Sequence, residues 1–319
     1  MTWLDGSDLQ ENSLSIGSKL GAGGQGVVHD LQGPGAGYVY KEYLKPAAVN
    51  DAELSELVKL PKELTPSESE RLLQQSAWPL ARVLDGAQVK GFIMRKVPDL
   101  FWGRQDRGPK LRELQFLLFE PKPLWGDIVP LDAEGRLEVA RQAAALFHML
   151  HSKGLVIGDV SMSNLLWAHN PVGIFLLDCD GIRSHGRRPV MTQPETLDWN
   201  DPLQTATGAD QDTDRYKLAL LVARVLTRSH NLRPGDPLDF VPGLPDRVVR
   251  ETAARFGDAG RPRGTRPDTG HWIMALSDRG TIDLQPLPPV RRLRALPMAP
   301  LDQKSSQRPV IRLTPPAGS

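Results

Sequence analysis

Cysteine is almost missing from these 319 residues, with Cys179 the only one. A single thiol cannot close an internal disulfide, which excludes a disulfide-framed secreted scaffold and suits a reducing cytoplasm. Long apolar runs are missing too. The longest, residues 218–226 (LALLVARVL), is interrupted by Arg224, and it falls far short of the ~20 residues that span a bilayer as a helix. The opening MTWLDGSDLQENS lacks the basic start and apolar run of a signal peptide. Neither sign of charge is in excess, with 39 Lys plus Arg against 38 Asp plus Glu. No global basic field results, so no nucleic-acid partner is expected from charge. Together these absences predict a cytoplasmic protein with no membrane span. What is present is a 40% hydrophobic fraction, enough for a sizeable core and against global disorder. No repeat of fixed period is found.

The pattern divides into an N-terminal extension over 1–13, a β-rich region over 14–97, a mostly helical region over 98–285 and a tail over 286–319. The tail is rich in Pro and basic residues without periodicity, which predicts an extended or disordered segment. In the β-rich region Leu14, Ile16 and Leu20 precede a glycine cluster, and Val27, Val28 and Leu31 follow it. GPGAG at 33–37 is a turn signal, and YVYKEYL comes after it. This predicts a hairpin followed by a third strand. In 51–60, Leu54, Leu57 and Val58 share a helical face. A second helical piece over 67–75 opens with Ser67 and Glu70 in capping-box spacing. ARVL (81–84) and GFIMRKV (91–97) read as further strands. The helical region holds an amphipathic stretch over 133–154, with Ala140, Ala143, Ala144, Phe147 and Leu150 on one face and Gly154 to end it. LLW (165–167) and GIFLL (173–177) are β-type, and 214–226 is a helix apolar nearly all round, hence buried.

Four elements carry chemistry. In the cluster Gly21, Ala22, Gly23, Gly24, Gln25, Gly26, Val27, Val28, glycines let the backbone approach a phosphate and present N–H groups to it. A dinucleotide-binding loop would lead into a helix; here β-branched residues lead into a hairpin, which favours the pattern GxGxxGxV met by Gly21, Gly23, Gly26 and Val28. Lys41 lies on the strand after the hairpin, where it can reach α- and β-phosphates. Asp159 and Asn164 form D-x-x-x-x-N before an apolar pair, Leu165 and Leu166. This pattern resembles a kinase catalytic loop, in which the Asp would accept or orient a hydroxyl proton and the Asn would hold Mg²⁺. Finally, the apolar run 174–177 delivers Asp178, in Asp178-Cys179-Asp180, which resembles the metal-binding Asp-Phe-Gly position, where a carboxylate can meet Mg²⁺.

In this order and spacing, the chain resembles the protein kinase superfamily over about 14–278. More closely, it resembles a bacterial branch of eukaryotic-type Ser/Thr kinases whose catalytic loop reads Gly-Asp, some with helix-hairpin-helix tails; no convincing segment of that kind is found here. Trp78-Pro79, Gly91-Phe92-Ile93-Met94, Gly158-Asp159, Asp214-Arg215-Tyr216 and Arg266-Pro267 with Trp272 support the likeness. The resemblance implies an α+β, bilobal kinase-like fold with a small β-rich N-lobe (14–97) and a larger α-helical C-lobe (98–285). It implies ATP and Mg²⁺ as cofactors and a protein Ser or Thr as acceptor. Residues 21–28 would cover the nucleotide, and Lys41 would bind its phosphates and pair with a helix glutamate, Glu53 or Glu56, with Glu56 preferred. Met94, Arg95, Lys96 and Val97 would line the adenine edge through their backbone. Asp159 would be the catalytic base, Asn164 and Asp178 the metal ligands, and Asp214 the brace of the catalytic loop.

Several departures qualify the likeness. Ile157 and Gly158 stand where His and Arg are usual, so activation by pairing that Arg with a phosphorylated loop is not expected. Asp180 stands where Gly is usual. The segment 181–202 ends in Trp199-Asn200-Asp201-Pro202-Leu203, without the usual Ala-Pro-Glu glutamate, so no Glu–Arg anchor to Arg266 is expected. Thr192 and Thr196 are candidate phosphorylation sites. Two alternatives stay open: a pseudokinase that binds nucleotide as a scaffold, and a small-molecule phosphotransferase. The tail is either a solvated terminus or a site for an acidic partner, nucleic acid or a proline-reading domain.

Overall fold

Short runs rich in Val, Ile and Tyr, punctuated by glycine, favour pleated strands, and the first part of the chain is built from them in the computed structural model. The structure describes residues 4, 8–106, 108–192 and 196–277; the tail expected over 286–319 lies outside them. Strands β1 (Leu9–Gln10), β2 (Ile16–Ala22), β3 (Gly26–Leu31) and β4 (Tyr38–Tyr43) come first. Helices α1 (Asp51–Glu63) and α2 (Pro66–Gln74) follow, then β5 (Ala81–Asp85) and β6 (Gln88–Arg95). The sheet order is β1-β5-β6-β4-β3-β2. Every pairing is antiparallel except β1 on β5, where Leu9 faces Val83. The stretch expected to be a bare extension over 1–13 therefore supplies an edge strand.

The capping box of α2 sits earlier than the sequence pattern suggests. Thr65, not Ser67, is the N-cap: it accepts from the Glu68 amide, and the Glu68 carboxylate accepts from the Thr65 amide. Pro66 explains the shift, since its missing N–H and fixed φ suit the first helical position.

The remainder is mainly helical. A short hairpin, β7 (Trp102–Gln105) and β8 (Gly108–Leu111), was not legible in the pattern, and α3 (Gln115–Leu118) follows it. Next come α4 (Ala133–Ser152), β9 (Leu155–Val156), β10 (Leu165–His169), β11 (Val172–Leu176) and β12 (Arg183–Ser184). Helices α5 (Gln211–Thr227), α6 (Asp246–Ala259) and α7 (Thr269–Leu276) complete the described chain. Helix α5 is buried on all sides from Tyr216 to Leu226, as its mostly apolar content requires, with Lys217 and Arg224 buried among the apolar side chains. Helix α4 packs Val139, Ala143, Leu146 and Phe147 into the same core, each large side chain contributing about 1.5–3 kcal/mol by leaving water. A β-rich N-terminal sheet before a helical C-terminal part makes this a mixed α+β, bilobal kinase-like fold.

Candidate functional site

The glycine hairpin is positioned by β2 and β3, whose register pairs Gly21 with Val28 and Ala22 with Val27. Its glycines divide by role. A Cβ on Gly21, Gly23 or Gly24 would meet nothing within 4 Å, whereas one on Gly26 would lie 2.5 Å from the Glu42 carbonyl oxygen. Gly26 thus lets β3 lie against β4; the other three leave open room at the hairpin tip. At that tip the Gln25 amide donates to the Thr192 carbonyl at 3.0 Å.

Pairing of β3 with β4 sets Lys41 opposite Val28, and pairing with β6 sets it opposite Phe92. Lys41 is buried, and its ammonium donates to Asp180 Oδ1 at 2.7 Å and Asp178 Oδ1 at 3.0 Å. Burial alone would lower its pKa; Asp180 first and Asp178 second outweigh that, holding the ammonium above its ordinary range. Tyr43, two residues on and so on the same face of β4, donates its hydroxyl to Asp180 Oδ2 at 3.1 Å. Burial, then the charge on Asp180, pushes the Tyr43 phenol well up and keeps it a donor.

The helix glutamates do not sit as expected. Glu56, the preferred partner of Lys41, is on the exposed face of α1, bonded to Lys59 at 2.9 Å. Glu53 is the one turned inward, because its neighbours Leu54 and Leu57 anchor that face. Its carboxylate accepts from the Ser184 amide at 2.9 Å and pairs with Arg187 Nε at 2.7 Å, not with Lys41.

The Asp159 loop hangs from Asp214. The Asp214 carboxylate accepts from the Ile157 amide at 2.7 Å, the Gly158 amide at 2.8 Å and His151 Nε2 at 3.1 Å. The N-cap of α5 is Asp210 rather than Asp214. Gly158 has φ 78°, and a Cβ there would lie 2.7 Å from the Arg183 guanidinium. Arg183 in turn donates to the Ala209 carbonyl at 2.6 Å. A side chain at 158 has no room because Arg183 fills it.

Asn164 Nδ2 donates to the Asp159 carboxylate at 2.8 Å and to its carbonyl at 3.1 Å. The Thr196 hydroxyl donates to the other carboxylate oxygen at 3.0 Å. The β10–β11 hairpin pairs Leu165 with Leu176, and the Leu177 amide donates to the Asn164 carbonyl at 2.8 Å. That register brings Asn164 and Asp178 side by side at the hairpin's open end. Asp178 has φ 50° and a side chain 52% exposed, against 2% for Asp180. Among the described residues no group of three or more His, Cys, Asp or Glu could hold a metal by itself.

Met94 to Val97 are only partly available to a ligand. Met94 and Val97 pack against the core, and Arg95 is exposed. Lys96 spends its amide on the Gly37 carbonyl at 3.1 Å and its ammonium on Asp30 at 2.9 Å. A pocket of about 610 Å³ between Gln105, Lys110, Phe116, Phe119 and Trp125 shares no residue with the Lys41–Asp159 cluster.

The segment after the site is anchored, contrary to the expectation of no Arg266 pair. Asp201 replaces the missing glutamate, accepting from Arg266 at 2.7 and 2.8 Å, both side chains buried. Sequence reasoning also missed Tyr43, Asp180 as a lysine partner and Arg183. For Tyr43 a signal existed in the two-residue alternation of β4.

A glycine hairpin and a buried lysine on a sheet, set with an Asp–Asn pair and a strand-delivered aspartate, lie together in this kinase-like fold. The chain is 24% identical over 237 residues to "Protein kinase YegI" of Escherichia coli K12, covering 70% of this chain and 33% of that protein. The protein of the same name from E. coli O157:H7 is 25% identical over 238 residues with the same coverage. The chain thus spans about a third of the length of the curated relatives it matches. This likeness supports a kinase-like relationship. No protein-family model matches the chain. No helix among the described residues is long and apolar enough to cross a membrane.

Proposed function

We propose that the chain binds ATP with Mg²⁺ beneath the 21–28 hairpin and transfers the γ-phosphoryl group to a Ser or Thr hydroxyl of a protein, in the cytoplasm. The observation that carries this reading is the Asp159 carboxylate. One oxygen is held by Asn164 and the other takes a hydroxyl hydrogen bond, from Thr196 at 3.0 Å. A carboxylate so steered can orient a hydroxyl and receive its proton.

Lys41 would contact the α- and β-phosphates, and the open room over Gly21, Gly23 and Gly24 suits a close phosphate approach. Mg²⁺ binds through one or two carboxylates together with phosphate oxygens and would neutralise charge developing on the phosphates. The residues present fit it. Asn164 commits its Nδ2 to Asp159, which leaves the amide oxygen as a hard ligand, and Asp178 beside it is half exposed. The name of the relatives, protein kinase, supports the same reaction class.

The test is transfer from γ-labelled ATP with Mg²⁺ to a generic protein acceptor and to a panel of small alcohols, beside Asp159→Ala. The expected result is protein labelling that Asp159→Ala lowers by roughly 10²–10⁴ while ATP binding persists. Labelling of the alcohols alone would replace the protein acceptor. Lys41-dependent ATP binding without transfer would replace the enzyme with a nucleotide-binding scaffold.

A further inference from the structure

We propose that Asp180, steadied by Tyr43, is the positioning residue that holds Lys41, and that Glu53 serves instead as a latch on the segment around Ser184 and Arg187. This rests on the nucleotide-binding reading given above.

A buried ammonium needs a carboxylate partner to stay charged. The inward glutamate of α1 is not that partner: one oxygen holds a backbone amide and the other faces Arg187 as an ion pair, without a hydrogen bond. Oε1 accepts from the Ser184 amide at 2.9 Å, and Oε2 lies 2.7 Å from Arg187 Nε. The two aspartates at Lys41 are not equivalent. Asp178 ends a hairpin with its side chain half in water, so it can turn toward solvent or a cation at little cost. Asp180 sits in the turn Cys179–Gly181, with Cys179, Gly181 and Ile182 all buried. Its two oxygens are divided between Lys41 and Tyr43. Leaving Lys41 would strand it as an unpaired buried charge, so this pair is the permanent one.

Lys41 and Tyr43 project from one face of β4, and a carboxylate bridging them fixes the lysine's direction as well as its charge. The short Asp-Cys-Asp sequence therefore carries two separable tasks. Asp178 is left for the metal and Asp180 for the lysine. Glu53, released from the lysine, ties α1 to the backbone that follows.

Calorimetric binding of ATP with Mg²⁺ is measured on the wild type, Asp180→Asn, Tyr43→Phe, Glu53→Met and Lys41→Met. Hydrogen exchange at the Ser184 amide and thermal melting are followed on the same proteins. Loss of a hydrogen bond to a charged group predicts that Asp180→Asn weakens ATP binding roughly ten- to a hundredfold, and Tyr43→Phe by about three- to tenfold. Glu53→Met leaves ATP affinity within about threefold and speeds exchange at Ser184 by about tenfold. Tyr43→Phe keeps its ring and shape, so it decides the matter if Asp180→Asn does not fold. The assignment is overturned if Glu53→Met weakens ATP binding as much as Asp180→Asn does. It is equally overturned if Asp180→Asn and Tyr43→Phe leave binding unchanged while Lys41→Met abolishes it. If the wild type binds no ATP, or Lys41→Met binds it equally well, the nucleotide reading fails and this assignment falls with it.

Discussion

Replacing Asp201 with Ala removes a bidentate ion pair from a fully buried setting. Arg266 Nη1 and Nη2 donate to its two oxygens at 2.7 and 2.8 Å, and the Leu203 amide donates to it at 2.9 Å. The stranded guanidinium would keep the Asp212 carbonyl at 3.1 Å, an Asp212 carboxylate oxygen at 3.3 Å and the face of Tyr216 at 5.0 Å. Breaking a buried pair by removing one partner costs about 3–5 kcal/mol, and the remaining Asp212 contacts place the expected loss near the lower end, about 3 kcal/mol. At roughly 2–4 °C per kcal/mol for a large domain, the melting temperature should fall by about 6–12 °C. Far-UV circular dichroism through a thermal ramp reads this directly. The double variant Asp201→Leu with Arg266→Met leaves no orphan charge and should melt above Asp201→Ala. A loss below about 1 kcal/mol for Asp201→Ala, or a double variant less stable than the single, would refute the reasoning.

The glycines give a second contrast. A Cβ at Gly91 would lie 2.0 Å from the Lys41 carbonyl oxygen and 2.6 Å from the Tyr40 ring, so Gly91→Ala should cost about 1–3 kcal/mol or more by urea unfolding. Gly24→Ala meets nothing within 4 Å and should stay within about 0.5 kcal/mol; an equal cost at both positions would sink the distinction. Burial, then the charges on Asp180 and Asp178, pushes the Cys179 thiol well up. Cys179 should therefore resist a thiol reagent in the native protein and react only as urea unfolds it; rapid native labelling would contradict this. The same shift stabilises the fold below the thiol's ordinary value of 9.0. The contribution is lost as pH rises above that value, so stability measured through the alkaline range should decline.

Strands and helices were legible where one period dominates. The run 133–154 and the apolar stretch 214–226 announce α4 and α5, and GPGAG announces the turn between β3 and β4. Less was legible where local rules compete. Pro66 drew the α2 cap back to Thr65, and the β7–β8 hairpin has too short a pattern to read. The segment 1–13 looks polar and unremarkable, yet Leu9 and Gln10 pair with β5, because an edge strand's need is an open neighbouring backbone rather than a distinctive side-chain pattern.

At the candidate site, residue types and spacing singled out the groups proposed to carry chemistry: the glycine cluster, Lys41, Asp159 with Asn164, and the Asp178 region. Those are local patterns, and each is carried by one short element. Only the tertiary structure decided how they are wired. Whether Glu53 or Glu56 turns inward depends on the phase at which α1 packs. Which carboxylate meets Lys41 depends on how the turn after β11 lies against β4. That Asp201 meets Arg266, and Arg183 fills the space at Gly158, depends on segments far apart in sequence. Charge pairing is a matter of distance and burial in three dimensions, and the linear order of residues specifies neither until the chain has folded.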